Sequence, residues 1–281
     1  RRLKGEDLAI GQAALSSGKI IRPSDLGLIA SLGMGSVAVK RRLNVGFFST
    51  GDELRSIGQL LDDGCVYDSN RYTLFGMLSR LNVELHDFGV VKDDPDAMRA
   101  TFSQAAATCD AVITSGGVSV GEADYTKQIM QELGDVGFWK IAMRPGRPMA
   151  FGVLKAIADK SPSRKTLFFG LPGNPVAVMV TFYQFVRNAL LAMSGATQVA
   201  PPMMQAKTVE AIRKRPGRTE FQRGILSTDA TGNRTVRITG AQGSGVLRSM
   251  SEADCFIVLA HDQENIQAGD TVGVVLFEGL V

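Results

Sequence analysis

The segment "VITSGGVSVGEADYTK" (residues 112–127) runs from a β-branched tract through a glycine turn into an acidic, helix-forming stretch. It carries Ser115, Gly116, Gly117, Ser119 and Gly121. Such a turn could hold a serine nucleophile, cradle an anion, or only bend the chain. Gly117-x-Ser119-x-Gly121 has the spacing of a nucleophile elbow, with His261 downstream as a base. An elbow serine sits directly on the strand-to-helix turn, whereas this strand should end near Thr114 and leave Ser119 in mid-loop; the fit is weak. An anion cradle fits better. A glycine-rich loop at the carboxyl end of a parallel strand presents backbone N–H groups, and the next helix start adds positive partial charge. Ser115 and Ser119 would add hydroxyl donors. A plain turn, with glycine supplying unusual backbone angles, is the structural alternative. "GMGSVA" (33–38) spells another glycine loop but leads into "VAVKRR" rather than a helix, so it fails as a dinucleotide site.

Acids and cations gather at the same predicted rim. "STGDEL" puts Thr50, Gly51, Asp52 and Glu53 after one strand, "KDDP" puts Asp93 and Asp94 after the next, and "GEADY" puts Glu122 and Asp124 after the third. Loops after successive strands of an open parallel sheet share one crevice. Asp94 reads as a helix cap and Glu122 as a solvated first-turn residue. Asp93 has no such duty and is the better functional candidate, while Asp124 suits either dipole stabilisation or metal ligation. Grouped carboxylates beside a phosphate cradle suit Mg²⁺. "WKIAMRPGRPMAFG" carries Lys140, Arg144 and Arg147 around Pro145-Gly146, with Pro148 next, and "RKRPGRTEFQR" adds Arg213, Lys214, Arg215, Arg218 and Arg223. Arginines pinned between prolines and glycine suit an oxyanion. In "FGLPGNPVAV", Asn174 as N-cap and Pro175 as first helical residue open a further helix N-terminus at the crevice. These residues specify a site for a phosphorylated ligand, with Mg²⁺ and a second oxyanion, and without an evident nucleophile.

The elements that must position them alternate along residues 43–194. "LNVGFFST", "VELHDFGVV" and "DAVITS" read as strands, followed by "VGFWKIAM", "PMAFGVL" and "KTLFFG". Helices are expected with Leu74, Leu78 and Leu81 inward; then from Asp94-Pro95 with Met98, Phe102 and Ala105 inward; then with Tyr125, Ile129 and Leu133 on one side. A long helix should run from Pro175 to Met193, stopped at Gly195. This pattern predicts an α/β fold, a three-layer, mostly parallel sheet covered on both faces. Beyond "GATQVAPPMM" the chain turns β-rich, predicting a small C-terminal β-barrel-like domain. The expected division is an incomplete N-terminal unit at 1–42, an α/β domain at 43–197 and a β domain at 198–281.

At 281 residues with 44% hydrophobic and 21% charged residues, the chain has the balance of a globular protein with one large core or two ordinary ones. A net charge of +3 gives no strong field toward nucleic acid. Three scattered cysteines without a CxxC pair argue against a disulfide framework or zinc site and fit a reducing cytoplasm. The longest apolar stretch is interrupted by Arg187 and other polar residues and reads as a buried helix, not a membrane span. The sequence opens on "RRLKGED" without methionine, as a fragment would.

Taken in order, "FSTGDEL", "YDSNR", "DDP", "TSGGVSVGEADYTK", "MRPGRPMAFG", "GLPGNPVAVMVTFYQF", "PGRTEFQRG" and "CFIVL" resemble the molybdopterin molybdenumtransferase family, which includes the MoeA proteins and the E domain of gephyrin. The resemblance implies an enzyme of molybdenum cofactor biosynthesis that inserts molybdenum from molybdate into adenylylated molybdopterin and releases AMP with a divalent cation. It implies that loop 115–121 holds the terminal phosphate or the nucleotide. Glu53, Asp93 and Asp124 would be the acidic working groups, Asp93 and Asp124 lying near Mg²⁺. Arg144, Arg147 and Pro148 would border molybdate with Arg218 or Arg223 and Ser244. "GED" adds Asp7 to the acidic set, and Thr50, Gly51, Asn70, Lys140, Asn174 and Pro175 complete the binding set. The family's pattern departs here at Ala177, commonly serine, and at Arg144 and Arg147, often lysines. Family members carry on the order of a hundred further N-terminal residues, which help form the site across a homodimer. The alternative is a gephyrin-like scaffold without catalysis.

Overall fold

The computed structural model describes residues 5–117, 124–155 and 165–277, with side chains in the helix that begins at Asp124 described from residue 128. After α1 (Pro23–Ser31) come β1 (Asn44–Thr50), the short ladder of β2 (Leu54–Arg55) and β3 (Val66–Tyr67), α2 (Ser69–Ser79), β4 (Glu84–Val91), α3 (Pro95–Thr108), β5 (Ala111–Ser115) and α4 (Asp124–Leu133). They are followed by β6 (Gly134–Lys140), β7 (Met143–Arg144), β8 (Pro148–Lys155), β9 (Lys165–Leu171) and α5 (Pro175–Met193). The last part holds β10 (Met204–Thr208), β11 (Thr219–Thr228), β12 (Arg234–Ile238), α6 (Leu247–Glu252), β13 (Cys255–Leu259) and β14 (Thr271–Leu276).

The first sheet has the order β4-β1-β5-β9-β8-β6, and β4, β1, β5 and β9 run parallel. Its two faces follow from the period-two geometry of strands. Val45, Phe47, Ala111 and Ile113 turn to the layer of α2 and α5, while Phe48, Val112 and Phe168 turn to α3 and α4. Leu74 and Leu78 of α2, Met98, Phe102 and Ala105 of α3, and Ile129 and Leu133 of α4 are buried as the spacing predicts. The three-layer α/β architecture is therefore the one expected.

Asp94 caps α3 by accepting a hydrogen bond from Ala97 N at 2.8 Å, with Pro95 at the first helical position. Asp94→Ala should cost about 1 kcal/mol, read as a lower urea midpoint at unchanged m-value.

Two local features differ from expectation. The strand predicted over 136–143 ends at Lys140, and the chain then leaves the first sheet as β7, which pairs parallel with β11. Met143 lies opposite Thr219 and Arg144 opposite Glu220. The long helix α5 forms as expected but widens into a π-helical stretch over Phe182–Val186. That stretch turns Tyr183 toward Phe256 and Phe277 of the second sheet, with ring centroids 5.9 and 6.0 Å away. α5 has the length and apolarity of a membrane span by composition, yet 56% of its most apolar window is buried within the protein.

The second sheet closes on itself: β12-β10-β14-β13-β11, with β11 pairing back to β12. Ala206, Val236, Ile257, Leu259, Val272 and Val274 fill this small barrel. Phe221, Met250, Phe256 and Val275, by contrast, join the core beneath α5, so the two sheets share one apolar cluster. The N-terminal segment holds α1 and meets the rest near the end of α5, where Thr197 N donates to Gly18 O.

Candidate functional site

The carboxyl ends of β1, β5 and β9 form a tight corner. Gly116 follows β5 with φ +94°, and a Cβ built on it would lie 2.5 Å from Thr50 O, so only glycine fits. Gly116 N donates to Leu171 O, and Gly173 approaches to within ordinary van der Waals distance. Asn70, in the first turn of α2, donates from Nδ2 to both Ser115 Oγ and Gly173 O at 2.7 Å. Asn70 stands there because Asp68, 1% exposed, caps α2 by accepting from Arg71 N, while also accepting from Ser49 Oγ and pairing with the Arg71 guanidinium. Thr50, Asn70 and Ser115 are all more than nine-tenths buried, and among the described residues Thr50 Oγ1 and Asn70 Oδ1 have no hydrogen-bond partner.

Acidic groups lie along the adjoining loops. Asp93 N donates to Asp52 Oδ1 at 3.3 Å, tying the loop after β4 to that after β1. The exposed Glu53 folds its carboxylate back over Gly51, whose φ of +147° and lack of Cβ admit it. Asp124 is the first residue of α4; its side chain, with Ser119 and Gly121, lies outside the described residues. Among the described residues no cluster of three His, Cys, Asp or Glu is arranged to hold a metal ion.

Cations approach from the other side. The loop after β7 packs on the first turns of α5, where a Cβ on Gly146 would meet Thr181 Cγ2 at 2.6 Å. It carries the exposed Arg144 and Arg147 and the half-buried Pro148, with Lys140 exposed at the end of β6. Arg144 Nη1 stands 3.9 Å from the buried carboxylate of Glu220, whose Oε2 accepts from Gln222 Nε2.

Arg223 is only 1% exposed. It donates from Nε to Ser249 Oγ and from Nη2 to Gly243 O and Ala241 O, which fixes the 241–246 loop. That loop lies on the N-terminus of α5, where Ser244 O accepts from Val176 N. Burial first, and the Arg144 charge second, bring the Arg223 pKa down to about 10.

Asn174 occupies the N-cap position of α5 but makes no side-chain cap, a correction to the cap expected of it; the barrel loop takes that place. Arg218 is exposed on the turn before β11, and Asp7 is exposed in the segment before α1. Asp68, Ser49, Gly173 and Glu220 were not singled out in the sequence. The Asp-Ser-Asn order of residues 68–70, a capping residue one step before a helix, was the available signal for Asp68.

Residues 46–192 match the family described as a probable molybdopterin binding domain, and residues 205–277 match the MoeA C-terminal region, domain IV. Fold and site thus define an α/β domain of that class joined to a MoeA-type barrel. A curated molybdopterin molybdenumtransferase of Haemophilus influenzae is 41% identical over 278 residues, covering 99% of this chain and 67% of its own length. One from Staphylococcus aureus strain Mu50 is 33% identical, covering 98% and 64%. The crystal structure of the molybdopterin biosynthesis moeA protein of Pyrococcus horikoshii OT3 superposes with a TM-score of 0.77 at 27% identity, covering 97% of this chain and 63% of that one. The chain belongs to the MoeA, or molybdopterin molybdenumtransferase, family, and spans about two thirds of the length of those relatives.

Proposed function

We propose that the chain carries the molybdenum-inserting site of a molybdopterin molybdenumtransferase, acting in molybdenum cofactor biosynthesis on adenylylated molybdopterin and molybdate with release of AMP. The observation that carries this reading is the N-terminus of α5, where Ser244 O accepts from Val176 N in a loop fixed by the buried Arg223, with Arg144 and Arg147 exposed on the adjoining segment. The Arg144 charge, offset in part by Glu220 at 3.9 Å, bears on Arg223, and an oxyanion bound beside them would relieve that repulsion. Molybdate is such an oxyanion, and Arg144, Arg147 and Ser244 supply donors beside the start of α5.

The phosphate-bearing part of the substrate lies along the backbone N–H groups of the glycine turn. Asp93 and Asp124 would hold Mg²⁺; exposed carboxylates on adjoining loops, here Asp52 and Asp93, are the hard oxygen donors that this ion takes. When bound, the ion supplies Lewis-acid polarisation of the phosphoanhydride. Glu53, folded over Gly51, orients the edge of that pocket, and Lys140 and Arg218 contribute positive field from its margins. Assembly as a homodimer, which would bring in Asp7, and a cytoplasmic location complete the proposal, as does the division at residues 43 and 198.

Thermal unfolding with molybdate, and with AMP plus Mg²⁺, tests this reading. Either at about 100 times its Kd should stabilise the chain by roughly 2.7 kcal/mol, a shift of several degrees at this size. Together they should stabilise further, and the AMP–Mg²⁺ response should vanish in Asp124→Asn. A wild-type chain indifferent to both would overturn the proposal.

A further inference from the structure

The corner at Thr50, Asn70 and Ser115 presents one obligate acceptor, Asn70 Oδ1, that a phosphate cannot satisfy, beside the Thr50 hydroxyl, which can accept or donate. The orientation of the Asn70 amide is set by Gly173, whose carbonyl can only accept; Nδ2 must face it at 2.7 Å. Asn70 Oδ1 therefore faces the other way, as an acceptor without a donor, on a side chain 7% exposed. Thr50 Oγ1 is likewise unpartnered on a residue 5% exposed. The two atoms belong to one corner: Thr50 Oγ1 lies 3.0 Å from the Cβ position of Gly116, whose preceding residue, Ser115, is bonded to Asn70. Buried polar atoms left unpaired are costly and are retained where something else completes them.

We infer that this floor receives an uncharged hydrogen-bond donor of the substrate, an N–H or O–H on a heterocycle or sugar, and that the phosphate lies outside it against the glycine turn. The inference rests on the proposed substrate, whose pterin and nucleoside halves both offer such donors. A phosphate diester or dianion brings only acceptors, which Asn70 Oδ1 would repel. Asn70 and Thr50 are thus residues that set specificity for the neutral part of the ligand, with no part in bond breaking.

Calorimetric titration of the 281-residue chain with three probes at pH 8 tests this: pterin, adenosine, and methyl phosphate, which carries no O–H at that pH. Thr50→Val and Asn70→Leu should each weaken pterin or adenosine at least ~10-fold, and leave methyl phosphate within about 2-fold. Which of the two neutral probes responds tells which half of the substrate occupies the floor. Thr50→Val exchanges an unpartnered hydroxyl for a methyl of the same shape, so its unfolding midpoint should not fall; it keeps the test open where Asn70→Leu loses the Gly173 contact and fails to fold. Equal weakening of methyl phosphate, or neutral probes unaffected by Thr50→Val, overturns the inference. A wild-type chain that binds methyl phosphate alone overturns it while leaving the crevice as an anion site. Failure to bind any probe removes the proposed substrate reading as well.

Discussion

Gly116→Ala should destabilise the chain by roughly 2–6 kcal/mol and abolish ligand binding at this corner. At φ +94° an alanine carries about 1–3 kcal/mol of backbone strain. Its Cβ would stand 2.5 Å from Thr50 O, a backbone atom inside a central parallel strand. Relieving that contact pushes β1 and β5 apart where Ser49 pairs with Ser115, adding about 1–3 kcal/mol. Gly173→Ala is the control, since its Cβ meets nothing nearer than 3.9 Å and its φ is ordinary. Urea unfolding should separate the midpoints of the two variants by roughly 1 M, with Gly173→Ala within about 1 kcal/mol of wild type. Equal losses at the two glycines would refute the account of this corner.

The second large effect is expected at Arg223. Arg223→Ala should cost about 4 kcal/mol, because it empties one of the largest fully buried side-chain volumes and strips donors from Ser249, Ala241 and Gly243. Arg218→Ala, on the exposed turn nearby, should stay within about 0.5 kcal/mol. Charge adds a pH signature. The folded pKa near 10 lies below the usual arginine value, so the unfolded chain holds the proton more tightly. Protonation at neutral pH thus opposes folding, and stability from this group rises only as pH climbs above about 10. An oxyanion at Arg144 and Arg223 would offset the same cost. Molybdate should therefore stabilise wild type and lose much of that effect in Arg144→Ala, where the exposed side chain can be removed without emptying the Arg223 pocket.

Much of this was legible because local rules and tertiary demands agree. Asp94-Pro95 fixed the start of α3, the apolar run "LNVGFFST" marked β1, and glycines marked the turn after β5. What escaped sequence reading depended on partners distant in the chain. β7 has two residues, too few for any periodicity, and exists only because β11 lies beside it. Asn174 had the chemistry of a cap, but the backbone of Ser244 arrived there first. Arg223 looked like one of several surface cations, and nothing near it in sequence tells that loop 241–243 encloses it. Thr50 was found by its place after a strand and Asn70 by the family resemblance, yet the unmatched Asn70 lone pair depends on which atom faces the Gly173 carbonyl.

The excursion at Met143–Arg144 has a mechanical consequence. One covalent connection is anchored in the first sheet at Lys140 and Pro148 and hydrogen-bonded into the barrel at Thr219 and Glu220. Swinging the barrel away would have to rip that seam and unstack Tyr183 from Phe277. Hinge motion of the barrel against the first sheet is thereby opposed at two independent points.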